Sequence, residues 1–239
     1  MKKKLLLSVL TFLIFLSGAF AHALWIETAP LGKKGVAQEV RIYFGEFSDK
    51  SVTPTEKWFS DTRSFSLVLI TPDQQEIKLN ATAQKEYFTA SFTPGKDGIY
   101  LVLLHHVVKD VYHGNRLDYN SSAQVRVGTV NAELQPAFSN IGIYADGKAG
   151  FKKEQPITFT AFLDNKPAAK TEVEVVAPNG WSKKLYTDST GKTSFTPLWN
   201  GKYNLEMTRS DKRSGEHQGK PYETEWRGAN CIVEVTDRK

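Results

Sequence analysis

The chain has 239 residues, 40% of them apolar and 24% charged, with 31 Lys and Arg against 26 Asp and Glu. Three of those bases, Lys2, Lys3 and Lys4, sit at the amino terminus, and without them 28 bases face 26 acids. So balanced a chain presents no broad cationic surface, which argues against a nucleic-acid partner. The single cysteine, Cys231, excludes an internal disulfide and leaves stability to the core or to a metal.

The first element is a leader. Lys2, Lys3 and Lys4 precede an apolar run from Leu5 to Leu16 and the small-residue stretch Ser17-Gly18-Ala19-Phe20-Ala21. A charged start, a short apolar middle and a small-x-small end make a secretory signal peptide. The run is shorter than the roughly 20 residues a membrane span requires. The expectation is therefore export to a periplasm or beyond, with no membrane insertion after cleavage. Cleavage after Ala21 leaves His22 first, and cleavage after Ala23 leaves Leu24 first. The former is favoured because Leu24 and Trp25 look like the start of a strand.

Beyond the leader, short strand-like runs recur. They cover Glu39 to Phe44, Phe65 to Ile70, Glu76 to Leu79, Tyr87 to Phe92, Ile99 to His106 and Ala123 to Val127. A second series covers Ile157 to Leu163, Thr171 to Val176, Lys183 to Thr187, Lys192 to Thr196, Tyr203 to Thr208 and Cys231 to Val235. Turn residues separate them and no segment sustains a helical period, so the spacing predicts an all-β sandwich. Cys231 falls on the apolar face of the last run, with Ala229 and Val233, as a buried strand cysteine would.

The two series also echo each other. Phe92-Thr93-Pro94 followed by Gly98 and Tyr100 returns as Phe195-Thr196-Pro197 followed by Gly201 and Tyr203 at the same spacing. Upstream, Leu69 to Asp73 parallels Val175 to Asn179, each with a proline in its turn. Two copies of one supersecondary unit leave such a pattern. The expectation is a signal peptide over 1–21 and two tandem immunoglobulin-like or prealbumin-like β-sandwich domains over 22–131 and 132–239. Asp188, Gly191, Phe195 and Tyr203 match the Asp-x-x-Gly…Phe…Gly-x-Tyr pattern of small bacterial surface modules, in which they form a turn and fill a core.

Five histidines carry the chemistry this sequence offers. If His22 becomes the first residue, its amine and imidazole Nδ1 chelate one ion, since both groups lose their protons near neutrality. The bland reading makes it an accident of the cleavage site. His105 and His106 end a strand, where successive side chains point to opposite faces, so a straight strand offers one of them to any one ion. A structural, hydrogen-bonded histidine is the alternative for each. His113 lies in a loop three residues after Asp110, suited to a metal and equally to a solvated turn. His217, in the polar stretch Ser214 to Lys220, reads as exposed. No nucleophile elbow, His-Glu-x-x-His, phosphate loop or dinucleotide fingerprint is present, so no enzyme is expected. Tryptophans such as Trp58, Trp181, Trp199 and Trp226 read as core or interface, with a sugar platform as the rarer alternative.

The run His22-Ala23-Leu24-Trp25-Ile26-Glu27, the segment Tyr43-Phe44-Gly45-Glu46-Phe47, the His105-His106 strand end and the stretch Asp188 to Tyr203 together resemble an uncharacterised family of periplasmic proteins associated with nickel or cobalt transport. The resemblance covers nearly the whole exported chain, and its distinctive part is the His-Ala-Leu-Trp start. It implies cleavage before His22 and a role for that residue. Many relatives carry Gly-His where this chain has Gly45-Glu46, so a carboxylate replaces an imidazole nitrogen here. The resulting expectation is a periplasmic protein that binds nickel, cobalt or copper through His22, His105 or His106, and Glu46 or His113, and passes the ion to a membrane transporter. A copper histidine-brace protein or oxidase, and an adhesive module with no metal, are its rivals.

Overall fold

The computed structural model describes residues 22–130, 140–146 and 150–237, so the expected leader and the expected domain boundary lie outside the described residues. The protein is all-β, and the described residues build three sheets. The first holds β1 (Ala23–Thr28), β3 (Gln38–Glu46), β4 (Ser51–Val52), β7 (Thr82–Ala83) and β8 (Phe88–Phe92), with β3 between β1 and β8. The third holds β11 (Ile141–Ala145), β12 (Ile157–Leu163), β13 (Lys166–Pro167) and β16 (Lys192–Phe195).

The second sheet is the largest and runs through both halves of the molecule. In spatial order it contains β15 (Ser182–Tyr186), β14 (Glu172–Val176), β17 (Gly201–His217), β18 (Lys220–Val235), β10 (Asn115–Val127), β9 (Gly98–Val107), β5 (Ser66–Ile70) and β6 (Glu76–Lys78). The short β2 (Leu31–Gly32) joins the side of β10. Ladders are antiparallel except those β10 makes with β18 and β2.

Alternation along the strands builds two cores against this shared sheet. In β3, Val40, Ile42 and Phe44 turn inward while Glu39 and Arg41 face out. They meet Leu67, Leu69, Tyr100, Val102 and Leu104 of the long sheet in the first core. In the second core Ile157, Phe159 and Ala161 of β12 meet Val173, Val175, Tyr203 and Leu205. Each large side chain so buried contributes about 1.5–3 kcal/mol against its exposed state. We refer to the two cores with their covering sheets as the first and second lobes.

The repeated motif takes the same local structure in both. Tyr100 donates its hydroxyl to the Lys96 carbonyl (3.0 Å) and accepts from the Lys96 N–H (3.1 Å). Tyr203 makes the same pair of bonds with Trp199, at 3.0 and 2.9 Å. The glycine that starts each tyrosine strand lies on the proline of the upstream turn. A Cβ at Gly98 would come 2.5 Å from Pro72, and one at Gly201 would come 2.8 Å from Pro178, both at positive φ. Phe92 and Phe195 pack on their tyrosines at 5.6 and 5.4 Å between ring centroids.

The lobes are joined by more than a linker. The β17–β18 hairpin extends past the second core, with a bulge between Lys212 and Gly215, and lies along the first lobe. Its Trp226 enters the first core beside Tyr119, with centroids 5.1 Å apart. Lys220 pairs with Asp110 (3.1 Å), and the Glu223 N–H donates to the Gly114 carbonyl (2.8 Å). The polar stretch around His217, expected as an exposed loop, is the tip of this arm. Its mostly polar, charged side chains hide the strand pattern because both faces of the outer hairpin meet water.

Candidate functional site

The amino-terminal end of β1 lies against β3, with Ala23 opposite Gly45. That register carries His22 toward Glu46, and its Nδ1 stands 3.4 Å from Glu46 Oε1. The His22 ring also leans on Phe44, with centroids 5.3 Å apart, so an exposed side chain is held on one side by the edge of the first core. Gly45 makes the local path possible. A Cβ there would lie 2.1 Å from the Ser51 carbonyl oxygen, so only glycine lets β4 close over β3 and set Glu46 opposite Ser51.

The other expected ligands go elsewhere. Strand alternation turns His105 outward and His106 inward, and each meets a different carboxylate. His105 Nε2 lies 3.1 Å from Oδ1 of the buried Asp118, and Asn120 donates to the same oxygen at 2.9 Å. The hydrogen bond to Asp118 raises the His105 pKa, against the opposing pull of burial. His106, buried at the rim of the first core, places Nε2 3.1 Å from Asp61 Oδ1. Burial works to raise the Asp61 pKa, but the Lys109 N–H and His106 outweigh it and hold the carboxyl below its usual range.

His113 is exposed in the turn between Tyr112 and Asn115 at φ 45°, its ring 4.3 Å from that of Tyr112. The loop carboxylate expected beside it, Asp110, instead accepts from Ser60 Oγ (2.6 Å) and pairs with Lys220. His217 Nε2 lies 3.0 Å from the Val108 carbonyl, so it serves the junction of arm and first lobe rather than solvent. Among the described residues, no three His, Cys, Asp or Glu side chains form a group that could hold a metal ion. Of the expected ligand set, the structure brings together His22 and Glu46.

Cys231 is buried and burial raises its thiol pKa, which leaves it neutral and inert. The tryptophans divide. Trp58 and Trp226 fill the first core, whereas Trp181 and Trp199 are exposed at neighbouring turns with centroids 6.0 Å apart.

Asp61 and Asp118, the partners of the paired histidines, were not singled out from the sequence. Asp118 lies within β10, in a stretch whose strand character was missed. A sharper signal was available there: Asp118, Asn120, Ser122 and Gln124 share one face of a strand whose other face is apolar at Leu117, Ala123 and Val125. A second surface also emerges from the fold alone. A cleft of about 500 Å³ opens between the outer face of β5, β9 and β10 and the strand β11, with His105 and Asn120 in its lining.

No family model matches the chain, and no curated protein matches it. Among solved structures, the chain is similar to an α2-macroglobulin from Salmonella that had been reacted with methylamine. That match covers 94% of this chain and 15% of that one, at 12% identity and a TM-score of 0.31. A trypsin-activated α2-macroglobulin from Escherichia coli gives 11% identity and a TM-score of 0.28 over 93% of this chain and 16% of that one. A Ca²⁺-stabilised, ice-binding adhesin of an Antarctic bacterium gives 10% identity and 0.27 over 90% and 50%. This chain thus spans a half or less of each of these proteins.

Proposed function

We propose that the protein, once cleaved before His22, is an exported binder of a divalent transition metal, nickel, cobalt or copper, that captures the ion for uptake or delivery. The observation that carries this reading is the 3.4 Å approach of His22 Nδ1 to Glu46 Oε1 at the start of β1. Cleavage there adds the α-amine of the same residue, making three donors: an amine, an imidazole and a carboxylate. Mixed nitrogen and oxygen donors suit these ions, with copper bound most tightly by the intrinsic order. His22 is exposed and the donors stand at the edge of a sheet, so an ion held there stays open to further ligands and to transfer to a partner such as a membrane transporter.

The two-histidine copper brace is less well supported, because the group facing His22 is a carboxylate. The adhesive-module reading draws on the pairing of His105 with Asp118 and of His106 with Asp61, which gives both histidines a structural task.

The test is calorimetric titration of the secreted protein, its amino terminus verified by mass, with Ni²⁺, Co²⁺ and Cu²⁺. One equivalent should bind, and His22→Ala should weaken the tightest ion by about 100-fold or more, since the chelating ring is lost. Glu46→Gln should weaken it less, by about tenfold. Unchanged affinity in His22→Ala, or no binding by the intact protein, would sink the proposal. Binding should also raise the melting temperature by mass action, an effect absent in His22→Ala.

A further inference from the structure

The cleft between the lobes lies on the opposite face of the long sheet from the first core and is independent of the metal reading. Its volume, about 500 Å³, falls in the range of small-molecule sites, which favour interfaces between packed units. One wall is apolar: Val68 and Ile70 of β5 and Leu103 of β9 line it with Tyr144 of β11, and Ile70 and Tyr144 also cluster with Leu101. The other wall is polar. Ser66 stands directly opposite His105 across the β5–β9 ladder, and Gln74, Asn120 and Ser122 complete it.

The donors and acceptors on that wall are set by the fold. Asp118, buried on the same face of β10 as Asn120, takes His105 Nε2, leaving Nδ1 of a half-exposed ring for an occupant. Asn120 donates its amide hydrogens to Asp118 and the Gly228 carbonyl, which leaves its own oxygen to accept. His105 already pairs with Asp118 at 3.1 Å, and the rim adds one carboxylate, Glu76. An anion entering here meets the Glu76 carboxylate and a His105 ring whose Nε2 is already taken by Asp118. A cation meets only Glu76 at the rim, because Asp118, 1% exposed and bonded through Oδ1 to His105 and Asn120, does not line the cleft.

We infer that this cleft binds a neutral, polyhydroxylated small molecule, a sugar ring presenting hydroxyls to Ser66, His105 and Asn120 and its C–H face to Tyr144 and Leu103. Hydroxyls both donate and accept, which is what a wall of serine, amide and imidazole groups requires, and the apolar wall covers the ring face.

The experiment is saturation-transfer NMR followed by calorimetry on the full secreted chain with glucose, galactose, mannose and N-acetylglucosamine. Glucuronate and glucosamine serve as charged counterparts. At least one neutral sugar should bind. Ser66→Trp, at an exposed position whose larger side chain fills the cleft, should weaken it about tenfold or more. His105→Gln, which can still donate to Asp118, should weaken it several-fold and provides the test if Ser66→Trp does not fold. His22→Ala, which removes the proposed metal chelate, should leave sugar affinity unchanged, so the two proposals fail separately. The inference is overturned if no neutral sugar binds, if a charged counterpart binds more tightly than its neutral parent, or if neither cleft variant changes affinity.

Discussion

Two cross-strand pairs occupy equivalent places in the two lobes: Val68 opposite Leu103 in the first, and Glu174 opposite Glu206 in the second. Val68 and Glu174 each stand one residue before a matched turn segment, and Leu103 and Glu206 each stand three residues after a motif tyrosine, on the face of the long sheet that points away from its core. The inner faces are interchangeable, with Leu69, Tyr100 and Val102 in one and Val175, Tyr203 and Leu205 in the other. The outer faces differ because their surroundings differ. In the first lobe β11 lies across the outer face, and its Tyr144 requires apolar neighbours. In the second lobe two acids share the position. Burial first, and then the Glu174 charge, push the Glu206 carboxyl up to about 7. The motif thus specifies a sandwich, and the outer face is left to be adapted to whatever lies on it.

The largest effect should come from the residue that crosses between lobes. Trp226 belongs to the second lobe's arm but is buried in the first core. Trp226→Ala should cost about 3–5 kcal/mol in denaturant unfolding, the usual range for a large aromatic truncated in a core. Amide exchange then sharpens the comparison. If the lobes open separately, protection falls in β9 and β10 while β12 keeps its own. Equal loss in β12 would show that the shared sheet makes them one cooperative unit.

The acid pair gives the next effect and a sign. Because the folded pKa of Glu206 lies above its ordinary value near 4.5, the fold is unpenalised below about pH 4.5 and loses stability as pH rises through about 7. The loss approaches at most about 3 kcal/mol on the alkaline side. Glu206→Gln should therefore raise the melting temperature at pH 8 and leave it unchanged at pH 4. A variant that gains nothing at pH 8 would show that the acid is ionised in the fold without penalty. No such pH response is expected at the Val68–Leu103 pair.

Much of this architecture was legible beforehand, because inner faces alternate. The runs Glu39 to Phe44, Ile99 to His106 and Ile157 to Leu163 lie within or closely match β3, β9 and β12. What stayed hidden is richer in polar residues than those runs. The first half of β10, Asn115 to Ser122, packs polar residues between lobes and is buried nonetheless, and the arm from Ser210 to Lys220 is polar on both faces. The same cause limits the site. Strand period places His105 and His106 on opposite faces, but Asp118 and Asp61, which hold them, come from segments 13 and 45 residues away. Such pairings depend on which strands become neighbours, and local pattern carries no record of that. Glu46 opposite His22 was named from a resemblance, and its 3.4 Å approach follows from the β1–β3 register.

The smallest effect tests the likeness of the lobes most directly. Tyr100 and Tyr203 each close a turn by bonding the N–H and C=O of the residue four positions back. Removing either hydroxyl leaves those two backbone groups to find water, at a cost of about 1 kcal/mol. Tyr100→Phe and Tyr203→Phe should therefore cost the same to within about 0.5 kcal/mol, and the double variant should cost their sum, as independent sites do. A Tyr203→Phe penalty well above that of Tyr100→Phe would place extra weight on the second turn, where the exposed Trp199 stands beside Trp181. A double variant costing less than the sum would instead couple the two turns through the strands β17, β18, β10 and β9, which lie side by side in the sheet both lobes share.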